Sequence, residues 1–105
     1  GLENHPGYEI NKAQTTGFGG MISFAVDSAE TARQILEGVK LIKFAESLGG
    51  TESLITYPIR QTHTDLTAEE CAEKGITDCL LRFSTGIEAT QDLIDDLAQA
   101  FAAVE

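Results

Sequence analysis

The sequence predicts an α+β fold: two layers, a mainly antiparallel sheet of about four short strands, and helices on one of its faces. Three observations lead there. Short stretches with apolar residues at every second position are interleaved with longer ones in which they recur every three or four. The two longer helical stretches are apolar on one side only, so each covers one surface and leaves the other to water. At 105 residues with 42% hydrophobic content, the chain supports one compact core and a single domain, 1–105.

The elements follow in order. Asn4-His5-Pro6-Gly7 is turn chemistry, and the polar segment 8–16 carries one weak helical face through Tyr8, Ile10 and Ala13. Gly17-Phe18-Gly19-Gly20 reads as a bend entering a first strand, where Ile22, Phe24 and Val26 alternate with smaller residues. Ser28 caps a helix whose apolar face is Ala32, Ile35, Leu36 and Val39, with Gly38 expected to end it in a left-handed cap. Residues 41–45 and 53–57 read as two short strands separated by the turn formers Ser47-Leu48-Gly49-Gly50. Thr67-Ala68-Glu69-Glu70 is a capping box opening a short helix that Gly75 stops. Leu81 and Phe83 alternate with Leu80, Arg82 and Ser84 in a further strand. A last helix begins near Thr90, with Leu93, Ile94, Leu97, Phe101 and Val104 expected inward and Asp92, Asp95, Asp96 and Gln99 outward. Such helices leave the second sheet face to be covered by something else.

Composition excludes several functions. A formal charge of −10 repels phosphate backbones and anionic lipid, so nucleic acid and membrane surfaces are not expected partners. No apolar run approaches the ~20 residues of a membrane span, and the amino end lacks a signal-like pattern, so a cytoplasmic location is expected. Cys71 and Cys79 have no metal-type spacing and read as reduced packing residues.

Arg82 is the sharpest single residue. A guanidinium in a strand that otherwise reads apolar is costly to desolvate unless it meets an anion. That anion is either a ligand carboxylate, gripped by two parallel charge-assisted bonds, or an internal Asp or Glu. The sequence leaves both open. The 46–54 segment offers a hydroxyl at Ser47, a carboxylate at Glu46 and glycines that permit close backbone approach, but its spacing is neither a dinucleotide nor a P-loop fingerprint. His63, between Thr62 and Thr64, has no nucleophile motif to serve and reads as structural.

Five segments in register carry a specific resemblance. They are Gly17-Phe18-Gly19-Gly20-Met21-Ile22-Ser23-Phe24, Ala45-Glu46-Ser47-Leu48-Gly49-Gly50-Thr51-Glu52-Ser53-Leu54, Thr62-His63, Gly75-Ile76, and Leu80-Leu81-Arg82-Phe83-Ser84-Thr85-Gly86-Ile87-Glu88. Together they resemble the C-terminal domain of the cystathionine γ-synthase, cystathionine γ-lyase and methionine γ-lyase family of pyridoxal-phosphate enzymes, essentially end to end. The resemblance implies the small domain of an aminotransferase-like fold, covered by a large N-terminal domain that holds the cofactor and its Schiff-base lysine. None of Lys12, Lys40, Lys43 or Lys74 matches that lysine, so the isolated chain is expected to be inactive. It also implies a sulfur amino-acid substrate and a homotetrameric parent.

Carried over by position, Arg82 matches the arginine that grips the substrate α-carboxylate, and Ser47 the serine beside substrate and catalytic lysine, with Leu48 next to it. Thr62 matches a pocket residue. Glu46 matches an acidic position of cystathionine-handling members, where it attracts a distal ammonium. Ile59-Arg60-Gln61 departs from the family pattern. Two other classes stay open: a free-standing amino-acid-binding or regulatory module using the same arginine, and a structural interaction domain.

Overall fold

The computed structural model describes residues 1–61 and 67–105, the side chain of Gln61 excepted. Helix α1 (Tyr8–Gln14) leads to strand β1 (Met21–Ala25), helix α2 (Ala29–Gly38) and strands β2 (Lys43–Phe44) and β3 (Leu54–Thr56). Helices α3 (Pro58–Gln61) and α4 (Ala68–Glu73), strand β4 (Leu80–Ser84) and helix α5 (Thr90–Ala102) complete the order. The strands form one sheet in the order β1-β4-β3-β2. Both pairings of β4 are antiparallel and β2 runs parallel to β3, so the sheet is mixed but mainly antiparallel, as expected.

The period-2 pattern sorts the sheet into two faces. Ile22, Phe24, Ile55, Leu81 and Phe83 share one, and Leu81 and Ile55 are fully buried there, against a core that includes Ala32 and Ile35 of α2 and Leu93 and Ala100 of α5. Met21, Ser23, Ala25, Arg82 and Thr56 share the other. On it Met21, Ser23 and Ala25 are exposed and Arg82 is half-buried.

Local signals carry most elements. The Ser28 hydroxyl accepts the Thr31 amide at 3.1 Å, and both halves of the Thr67–Glu70 capping box form. Gly75 takes φ +74° after α4, and Gly19 takes φ +82° entering β1. Helix α3 had no counterpart in the sequence reading, where 53–57 ran on as strand; Pro58, with its fixed φ, starts it.

Expectations at Gly38 and along α5 fail. Gly38 does not cap α2 in the left-handed region: it stays within the helix and Val39 is the C-cap, in extended conformation. Its small size serves packing instead, since a Cβ there would stand 3.3 Å from the Ala100 Cα on α5. Asp96 does not face outward. It is 6% exposed, and its carboxylate accepts the amides of Lys40 (2.8 Å), Leu41 (2.9 Å) and Ile42 (2.8 Å). Turning that position inward turns others out, so that Ile94 and Phe101, expected in the core, are 52% and 45% exposed.

Candidate functional site

The site lies on the face of β4 that carries Arg82 and Ser84, opposite the core-facing Leu81 and Phe83. Because β2 and β3 are parallel, the chain leaving β2 must travel back along the sheet to enter β3. It does so through residues 45–53, which run beside β4 and are tied to it at successive points. The Arg82 guanidinium donates Nη2–H to the Glu46 carbonyl at 2.9 Å. Two residues on, and on the same face, the buried Ser84 hydroxyl accepts the Gly49 amide at 2.9 Å. Beyond the strand the Ile87 amide donates to the Thr51 carbonyl at 3.0 Å.

Glu88 closes the series. Its carboxylate accepts the Ser53 amide and the Ser53 hydroxyl, both at 2.8 Å, while that hydroxyl accepts the Gly86 amide at 2.8 Å. Ser53 is fully buried. The Ser53 amide and hydroxyl hold the Glu88 carboxyl below its usual pKa range. Gly86 has no room for a side chain, because a Cβ would meet the Thr51 carbonyl and the Glu88 carboxylate and stand 2.6 Å from the Ser53 nitrogen. Gly20 joins the same corner from before β1, its carbonyl accepting the Thr85 amide at 2.9 Å and the Thr85 hydroxyl at 3.0 Å.

Arg82 forms no ion pair among the described residues; the described ion pairs are those of Arg33 with Glu30 and Glu37 on α2. The internal carboxylate that the sequence left open as its partner is therefore not found among them. A guanidinium carries five N–H donors, of which one is seen engaged among the described residues, by the Glu46 carbonyl. Neighbouring strands place Ser23 and Thr56 directly opposite Arg82, Ser23 exposed and Thr56 buried.

Of the other residues singled out, Glu46, Ser47 and Leu48 are exposed on the loop that Arg82 touches, and Thr62 lies outside the described residues, as does His63. Sequence reasoning missed Ser84, Gly86 and Glu88 as site residues, although they stand in the same stretch as Arg82. An apolar groove of about 510 Å3, lined by residues including Phe24, Phe83, Leu97 and Phe101, opens on the helix side of the sheet and does not include Arg82.

The whole chain but for its last residues matches one family model, described as Cys/Met metabolism PLP-dependent enzyme, over residues 1–102. The chain belongs to this family. It is 51% identical over 100 residues to cystathionine gamma-lyase of Bacillus subtilis, covering 95% of this chain and 26% of that protein. It is 55% identical over 84 residues to cystathionine gamma-synthase of Haemophilus influenzae, 80% of this chain and 23% of that one. The crystal structure of cystathionine gamma synthase from Xanthomonas oryzae in complex with aminoacrylate and cysteine superposes with a TM-score of 0.91 at 45% identity, covering 97% of this chain and 27% of that one. The chain thus spans about a quarter of the length of the Cys/Met metabolism PLP-dependent enzymes it matches.

The family is pyridoxal-phosphate-dependent. A lysine that forms an imine with the cofactor needs a desolvated or cation-flanked amine, and all four lysines of this chain are exposed. No helix among the described residues is long and apolar enough to cross a membrane.

Proposed function

We propose that residues 1–105 are the small C-terminal domain of a pyridoxal-phosphate enzyme acting on cystathionine or a related sulfur amino acid, and that Arg82 grips the substrate α-carboxylate. The observation that carries this reading is the half-buried Arg82 guanidinium on the sheet face turned from the core, steadied by the Glu46 carbonyl and without a carboxylate partner among the described residues. A large N-terminal domain covers that face, supplies the Schiff-base lysine and assembles the parent as a homotetramer in the cytoplasm. The 105-residue chain alone is inactive.

The cofactor, when bound, supplies the electron sink for bond cleavage or replacement on the amino acid. The residues of this chain position that amino acid. Arg82 holds its carboxylate in a fork that fixes orientation as well as affinity. Ser47 and Leu48 form the neighbouring wall, Thr62 is a further substrate-pocket residue, and the exposed Glu46 carboxylate attracts the distal ammonium of a long substrate.

In the full-length enzyme, Arg82→Ala removes a bidentate charge-assisted contact of about 3 kcal/mol, so KM for the amino acid rises on the order of 100-fold. An unchanged KM rejects the role. A second reading, a free-standing amino-acid-binding module, draws on the guanidinium being presented by the chain alone. Calorimetry of the 105-residue chain with cystathionine separates the two: the domain reading gives no measurable heat of binding, and a saturable isotherm favours the module.

A further inference from the structure

Segment 46–53 carries Glu46, Ser47 and Leu48, three of the residues assigned to the substrate, yet no regular element runs through it. Its position is set from outside, by β4 and the turn that follows. Arg82 takes the Glu46 carbonyl, Ser84 the Gly49 amide, Ile87 the Thr51 carbonyl and Glu88 both polar groups of Ser53. The same short stretch therefore presents the guanidinium and fixes the loop whose carbonyl orients it.

We propose that Glu88 is a positioning residue for substrate binding, anchoring the far end of segment 46–53 so that the Glu46 carbonyl holds Arg82 with its remaining edge toward the substrate carboxylate. This rests on the reading of Arg82 as the carboxylate grip. Three contacts support it. The Glu88 carboxylate meets two donors on a fully buried serine, and that serine's hydroxyl in turn takes the Gly86 amide. Gly86 cannot accept a side chain without displacing the same carboxylate. An anion whose two oxygens are both spent on backbone and serine donors does not touch the ligand; it acts through the loop.

A guanidinium turned away from its productive direction binds a carboxylate through one bond instead of two, while the reacting bond stays where the cofactor places it. Loss of the Glu88 anchor therefore raises KM and spares kcat. Glu88→Gln keeps the size of the side chain and sets an NH2 against one of the two Ser53 donors. In the full-length enzyme it is expected to raise KM for the amino acid about tenfold with kcat within about twofold. Combined with Arg82→Ala, it adds nothing further, because its effect passes through Arg82.

Ser84→Ala, which removes only the acceptor of the Gly49 amide, gives a smaller rise in KM of the same kind and serves if Glu88→Gln does not fold. A rise in KM for Arg82→Ala with none for Glu88→Gln, or for Ser84→Ala where that variant stands in, overturns the anchor and leaves the grip intact. Additive effects in the double variant, or kcat falling with the rise in KM, overturn the anchor as well. A flat KM for Arg82→Ala removes both.

Discussion

Asp96 offers the sharpest test of the fold. Its carboxylate accepts three consecutive amides across the corner between α2 and β2, and the Gln99 side chain donates to it at 3.1 Å. Asp96→Ala orphans all three amides. Ile42 is 2% exposed, so its amide has no route to water, and an unsatisfied buried donor costs about 1–3 kcal/mol. Lys40 and Leu41 are exposed, and their amides regain water at the loss of roughly 1 kcal/mol each.

The expected destabilisation is therefore about 3–5 kcal/mol, a large share of the ~5–15 kcal/mol that holds an ordinary domain together. At ~4–8 °C per kcal/mol, the thermal midpoint falls by roughly 12–40 °C. The chain has no tryptophan, so urea unfolding of the 105-residue chain is followed by far-ultraviolet circular dichroism. Asp95→Ala, on the solvent side of the same helix, is the control. Equal midpoints for the Asp96 and Asp95 variants would refute the inward placement and the loss assigned to it.

The same residue makes stability depend on pH. Burial pushes the Asp96 carboxyl up, but the Ile42, Lys40 and Leu41 amides and the Gln99 side chain outweigh it, leaving the pKa below its ordinary 3.8. A folded pKa below the unfolded one stabilises the fold above the unfolded value and loses that contribution as pH falls through the folded one. Asp96→Asn is thus expected to flatten the acid limb of the stability profile below about pH 4, and an unchanged slope argues against it. Gly86→Ala forces the 51–53 turn off the Glu88 corner; raised hydrogen exchange at the Ser53 amide checks it, and unchanged protection counts against the close approach. Thr67→Ala removes the α4 cap and lowers unfolding free energy by about 1 kcal/mol, measured by the same urea titration. Gly38→Leu drives α2 away from Ala100 and lowers the thermal midpoint well beyond what an exposed helix site would show.

Much of this protein was legible in order along the chain. Period-2 alternation around Ile22 and Leu81, the Ser28 cap and the Thr67 capping box depend on neighbours within four residues, and each forms where its pattern stands. Arg82 was legible for the same reason: a charge at a strand position stands out against that period, whatever it meets. Ser84 and Glu88 were not, because their partners Gly49 and Ser53 lie 35 positions away, and nothing local distinguishes a carboxylate that clamps a loop from one that faces water.

By itself the sequence determined the element types other than α3, the mainly antiparallel α+β plan and the residues that carry the family likeness, since these depend largely on short-range sterics and patterning. Only the tertiary structure decided which way Asp96 points, why position 38 must be small and how segment 46–53 is pinned beside Arg82. Those depend on which distant backbone donors and side chains arrive at one place, and a buried amide or a close helix crossing acquires its partner only when the layers pack.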